Sequence, residues 1–185
     1  MLEYNNKLSE IVDHCISNAK KKGATDVEVG ILKSTSETVS FRNKKLDESD
    51  RSENIGLSLT AYINKKKNSV LSSNLKTDNL EKLIERCVEA AKITPEDEFN
   101  SLPDEELFFK NSDELDLFDK THLENSQKID YLKEAEEVAF KNKEIVNTNG
   151  SSFSESKTEV VLGNSKGFKN GYNTSNFTAY CEVVS

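Results

Sequence analysis

"IGLSLTAYINKKKNSVLSSNL", residues 55–75, decides how the first half of the chain is built. Ile55, Leu57, Leu59, Ala61 and Ile63 alternate with Gly56, Ser58, Thr60 and Tyr62, a period of two that places an apolar and a polar row on opposite faces of a strand. The lysines at 65–67 occupy a turn, and "SVLSSNL" at 69–75 supplies a returning strand. Upstream, Val27, Val29 and Ile31 alternate with Asp26, Glu28 and Gly30, and Val39 and Phe41 alternate with Ser40 and Arg42. Four strands are therefore expected, joined by short connections apart from residues 44–54. An antiparallel meander covered on one face by helices is the economical arrangement.

The helices flank these strands. Leu8, Ile11, Val12, Cys15, Ile16 and Ala19 form one apolar stripe, ended by Lys20–Lys22 and by Gly23 as the residue that turns the chain out of the helix. Leu80, Leu83, Ile84, Cys87, Val88 and Ala91 repeat those offsets over 78–92, with Asp78 and Glu81 as a capping-box-like start. A third helix is predicted over Ser126–Asn142 with Ile129, Leu132, Ala135, Val138 and Ala139 facing inward. Strands resume in "EIVNTNGSSFSES", "TEVVLGNS" and "NFTAYCEVV".

Helix followed by β-meander thus occurs twice, which predicts an α+β fold of two helix-plus-antiparallel-β-meander modules. The expected organisation is a module at 1–94 (helix, four-stranded meander, helix), an acidic connector at 95–125, and a second helix-plus-meander module at 126–185. Val183, Val184 and Ser185 leave a strand with nothing beyond it, so the second module is expected to be incomplete and the chain to be part of a longer one.

The formal net charge of −8 argues against nucleic acid as the main partner, because phosphate binding needs clustered Lys and Arg. Residues 95–119 hold ten Asp or Glu against one Lys, together with both prolines, Pro95 and Pro103. That composition suits a connector. Its Phe99, Leu102, Leu107, Phe108, Phe109, Leu115, Leu117 and Phe118 are expected to pin it along the surface. No calcium-loop pattern occurs among the acids.

Cys15, Cys87 and Cys181 fall within apolar patterns and read as core residues of a reducing compartment. His14 and His122 stand alone in sequence, so no zinc spacing is evident. There is neither a signal-peptide pattern nor a run of eighteen apolar residues, which predicts a cytoplasmic protein without membrane association. The Asn-x-Ser/Thr triplets at Asn149, Asn173 and Asn176 carry no meaning without export. Gly163, Gly167 and Gly171, with lysines between them, invite comparison with a phosphate loop. Strand precedes and strand follows, however, so the stretch is read as a turn.

"GNSKGFKNGY" at 163–172, "ELDLFDK" at 114–120, "EIVNTNGSSFSES" at 144–156 and the whole of 23–76 resemble, in order, the TldD/PmbA family. Its members are known as modulators of DNA gyrase and microcin-maturation proteases, and the likeness is nearest to the PmbA, or TldE, branch. The resemblance implies an N-terminal portion of a longer protein. In the TldD branch it implies a zinc site built from a later His-Glu-x-x-x-His motif. His14 is followed here by Cys15 and His122 by Leu123, so no catalytic, cofactor or metal residue carries over to this chain.

The implied role is that of a non-metal subunit, inactive alone, that walls a chamber in which a TldD-like zinc-bearing partner cuts unfolded peptide. Zinc is expected only in that partner, and self-association is the other expected mode of assembly. An interaction module regulating a partner such as gyrase is the alternative. An independent Ser or Cys enzyme is disfavoured, because no G-x-S-x-G or Cys/His/Asn pattern is present.

Overall fold

The computed structural model describes residues 6–109 and 116–185. Helix α1 spans Asn6–Lys21, strand β1 Asp26–Arg42, β2 Lys45–Ile63 and β3 Lys66–Ser72. Helix α2 spans Thr77–Ile93, a single 3₁₀ turn Glu105–Leu107, α3 Asn125–Ala139, β4 Asn147–Asn164 and β5 Lys169–Val184. The fold is α+β, with one five-stranded antiparallel sheet in the order β3-β2-β1-β4-β5.

The expected four strands before α2 are three. The segments around Val27–Ile31 and Val39–Phe41 form one strand, and residues 44–54 are not a long connection but the start of β2. The intervening "LKSTSET" and "KLDESDRSEN" stay half-buried or exposed, so their extended backbone leaves no apolar alternation to read. Likewise, the three strands expected after α3 are two, β4 and β5. Both early hairpins turn on an Asn-Lys pair with positive φ, Asn43 (51°) and Lys44 (63°), then Asn64 (47°) and Lys65 (71°). Two consecutive left-handed residues make the turn whose twist matches that of the flanking strands. Beyond the second turn, Ala61 pairs with Asn68, Leu59 with Val70 and Leu57 with Ser72.

The chain forms two compact units, each drawn from three stretches: Met1–Lys33, Asn54–Leu115 and Glu159–Asn173 in the first, and Ser34–Glu53, Asp116–Thr158 and Thr174–Ser185 in the second. In the first, the stripes of α1 (Leu8, Val12, Cys15, Ala19) and α2 (Leu80, Ile84, Cys87, Val88, Ala91) bury against Val27, Val29, Ile31, Leu57, Leu59, Ala61 and Val161. Gly23 ends α1 with φ 103°, as its place in the sequence predicts. The start of α2 differs: Lys76 is the N-cap and no side chain caps it, so Asp78 lies in the first turn.

Gly163 is needed for this packing. A Cβ there would come within 2.6 Å of Val12 Cγ1, closer than two carbons can pack. Gly163→Ala is expected to cost about 1–3 kcal/mol through overpacking. Urea unfolding checks it, the midpoint falling with an unchanged slope.

The connector is held by fewer side chains than expected. Leu102 is buried and Phe108 packs on Phe168 with ring centroids 5.5 Å apart, whereas Phe99, Leu107, Phe109 and Leu117 are exposed. Polar links do much of the holding: Asp97 N–H donates to Lys65 O (3.0 Å), and Lys166 Nζ donates to Leu102 O (3.2 Å) and Pro103 O (3.1 Å). Leu115 lies outside the described residues.

The second unit has a small apolar core of Val39, Phe41, Leu132 and Phe153, with Leu123, Ile129 and Phe177 against it. Helix α3 presents its predicted stripe only in part: Leu132 is buried and Ile129, Ala135 and Ala139 are half-buried, but Val138 is exposed, and the other buried positions are Lys128 and Glu136, one turn to either side of Leu132. A search for apolar periodicity passes over a face made of two charges and one leucine. The cap of α3 is a full capping box, Glu124 with Gln127.

Candidate functional site

Lys128 is fully buried, and its ammonium is the centre of the second unit's polar interior. Nζ donates to Glu37 Oε2 at 2.9 Å and lies 3.2 Å from Oε2 of Glu155, which is itself 4% exposed. Arg51 holds the other oxygen of Glu37 at 2.7 Å, and Lys157 the other oxygen of Glu155 at 2.9 Å. His122, alone in sequence, is brought here as well, with Nδ1 3.7 Å from Glu155 Oε1. The alternation of the strands puts Glu37 and Glu155 on neighbouring β1 and β4, where Thr38 and Ser154 hydroxyls also meet at 3.0 Å.

Glu37, His122 and Glu155 bring one ligand atom each within 4.8 Å of one another, the geometry of a three-donor metal set. The charges do not suit a divalent ion. Each of the four carboxylate oxygens already faces Lys128, Arg51 or Lys157, so three cations oppose two acids before any metal enters. A divalent zinc ion does not fit these residues. They form an ionic centre in which both acids are already fully matched by cations.

The acid pair is tuned accordingly. The Lys128 hydrogen bond, aided by the charges of Lys128, Arg51 and His122, holds the Glu37 carboxyl below its ordinary value against the opposing effect of burial. Burial would push Glu155 upward, but the hydrogen bonds and charges of Lys157 and Lys128 prevail and lower it. Both groups release protons more readily folded than unfolded. Their contribution is therefore complete above the unfolded carboxyl range and disappears as pH falls through the lower folded values. Thermal melts from pH 7 downward should show stability falling below about pH 5. The Glu37→Gln/Glu155→Gln variant should show a shallower fall.

The three thiols are held protonated. Burial, with Glu81 nearby, pushes Cys15 up to about 12. Burial likewise raises Cys87, whose Sγ–H points at Asn68 O (3.2 Å), and burial with the charge of Glu136 raises Cys181. None has the electropositive setting a nucleophilic thiolate requires. His14 joins α1 to α2, its Nε2 2.9 Å from Glu81 Oε1. Of the glycine-rich stretch, Gly163 is in β4, Gly167 in the turn with φ 88° and Gly171 in β5. Lys166 between them holds the connector, so the lysine that suggested a phosphate has a backbone role.

Two further surfaces stand out. In the first unit, the sheet face opposite the helices carries an apolar trough of about 560 Å³, with Gly30 and Gly56 among its lining and Leu32, Leu71, Val160 and Leu162 around them. In the second unit, β5 is the outermost strand. Val184 O accepts from Val146 N–H and Glu182 O from Thr148 Oγ1, so residues 182 and 184 face β4. Ser175 N–H points the other way, to Leu117 O at 3.0 Å. Strand alternation then directs the backbone of 177, 179, 181 and 183 outward.

Against known proteins, residues 27–91 match the family model PmbA/TldA metallopeptidase domain 1, and residues 118–185 match the PmbA/TldA metallopeptidase central domain. The chain belongs to the PmbA/TldD family. The metalloprotease PmbA homolog of Haemophilus influenzae is 26% identical over 179 residues, 96% of this chain and 40% of that protein. The homolog of Buchnera aphidicola from Acyrthosiphon pisum is 32% identical over 162 residues, covering 86% and 36%. This PmbA/TldD chain thus spans well under half the length of these curated relatives.

Among solved structures, a Bacteroides thetaiotaomicron protein named for modulation of DNA gyrase superposes with TM-score 0.88 at 22% identity, over 97% of this chain and 41% of that one. TldE from Thermococcus kodakarensis superposes with TM-score 0.71 at 16% identity, over 94% and 39%. At these identities the structures establish a shared fold. Among the described residues, no helix is long and apolar enough to cross a membrane.

Proposed function

We propose that the chain is the N-terminal part of a PmbA/TldE-type subunit that carries no metal and lines the peptide path of a cytoplasmic metalloprotease assembly. A TldD-like partner would supply zinc and hydrolysis. The observation that carries this reading is the outward edge of β5. The chain's own connector already uses it: Leu117 O accepts from Ser175 N–H, and Asp119 N–H donates to Ser175 Oγ at 2.8 Å. Beyond Ser175 the strand continues outward-facing with exposed Thr178, Tyr180, Val183 and Val184. An extended peptide laid there would gain main-chain hydrogen bonds with little sequence demand, as unfolded substrates require.

Ala179→Pro removes one outward N–H and leaves the β4 side of the ladder intact. Binding of a fluorescent unfolded peptide, measured on the full-length protein with its zinc-bearing partner and on the isolated chain, should be lost in this variant while circular dichroism is unchanged. Peptide binding unaffected by Ala179→Pro would sink the proposal. A pull-down recovering gyrase subunits and no TldD-like protein would favour the regulatory reading instead.

A further inference from the structure

We propose that a cavity in the second unit is a binding site for small ammonium–carboxylate zwitterions, that is, free α-amino acids or very short peptides. The cavity, about 520 Å³, lies between the β1–β2 turn and the C-terminal end of α3. Its volume is within the roughly 300–1,000 Å³ of small-ligand sites.

Glu136 is the decisive residue. It is 1% exposed and lines the cavity. Oε2 accepts the Lys44 N–H at 3.2 Å, whereas Oε1 is buried with no hydrogen-bond partner. A buried carboxylate oxygen without a donor is unfavourable, and native proteins rarely leave one so. Its place on the helix adds to the demand. The last turn of α3 contains no basic residue, while Glu136 and Glu137 sit where the helix dipole is already negative. The inner end of the cavity therefore calls for a cation with N–H donors. The ring of Phe140 lines the cavity beside it, a surface that tolerates such a cation.

The rim has the opposite sign. Lys44, Lys133 and Lys141 line the opening, and all three are exposed. Lys133 pairs with Asp130 at 3.2 Å, and no ion pair joins Glu136 to a rim lysine among the described residues. A simple amine would have to pass three ammonium groups, and a simple carboxylate would meet Glu136. A molecule with both charges satisfies the two layers together: its ammonium supplies the missing donor to Oε1, and its carboxylate meets the lysines. The apolar edges of Phe41 and Phe140 suit an aliphatic side chain between them.

The test is a titration of isotope-labelled protein followed at the Lys44 amide, with L-leucine, isoamylamine and 4-methylpentanoate as probes. Leucine should give a saturable shift, and the amine and the acid should bind at least about tenfold more weakly. Glu136→Gln keeps the shape and should weaken leucine by about tenfold or more without lowering the melting temperature. Lys133→Ala/Lys141→Ala should weaken leucine but not isoamylamine. The proposal is overturned if leucine gives no saturable shift at millimolar concentration, if Glu136→Gln leaves its affinity unchanged, or if the acid alone binds as well.

Discussion

Lys128→Met should destabilise the protein by about 3–5 kcal/mol, the range seen when one member of a buried ion pair is removed and its partners stay behind. The mutation takes a fully buried ammonium from between Glu37 and Glu155 and replaces it with an apolar chain of similar length. The two acids do not suffer equally. Glu37 keeps Arg51 at 2.7 Å and has some access to water, whereas Glu155, in its more deeply buried position, keeps Lys157 at 2.9 Å and His122 at 3.7 Å on its other oxygen and nothing on Oε2. The loss should therefore centre on Glu155. Adding Glu155→Met to Lys128→Met should recover part of the stability, because well-packed apolar groups often replace a buried pair at little cost. Denaturant unfolding of the single and double variants checks both, and a Lys128→Met loss under about 1 kcal/mol would show that water reaches this centre.

Phe41→Ala is expected to cost about 3–5 kcal/mol. The apolar core of the second unit has few members, and Phe41 is the largest of its fully buried side chains alongside Val39 and Leu132. With Glu136 and Lys128 filling neighbouring helical positions, little apolar material is available to collapse into the space left by a lost ring. Ile84→Ala in the first unit offers the comparison. There α1, α2 and the sheet supply many apolar neighbours, and a milder loss within the roughly 2–5 kcal/mol range is expected. Equal losses in the two variants would contradict the view that the second unit is held as much by ionic as by apolar contacts.

The contrast explains what was legible along the chain. Leu8, Val12, Cys15 and Ala19, and Leu80, Ile84, Cys87, Val88 and Ala91, bury as their spacing predicts, because there the core is apolar and periodicity reports burial directly. On α3 the same spacing finds Leu132 and Ile129, which meet the core, but it also includes Val138, which is exposed, and omits Lys128 and Glu136, which are buried. A lysine and a glutamate four residues from a leucine look like the solvent face of any helix. Only the carboxylates of β1 and β4 make burial of Lys128 tolerable. The strand count failed for a related reason, since polar stretches such as 45–54 stay extended through their ladder hydrogen bonds and bury little.

Local physics therefore determined the helices of the first unit, the turn at the lysines after Ile63 and the alternation of the apolar strand segments, because each depends on residues within one or two turns of one another. Tertiary structure alone decided that His122 would lie beside Glu155, that Gly163 must be bare to admit Val12, and that a charged face could be an inside face. Those outcomes rest on pairs brought together from distant parts of the chain. The free energy of a buried charge is set by its partners and not by its own side chain.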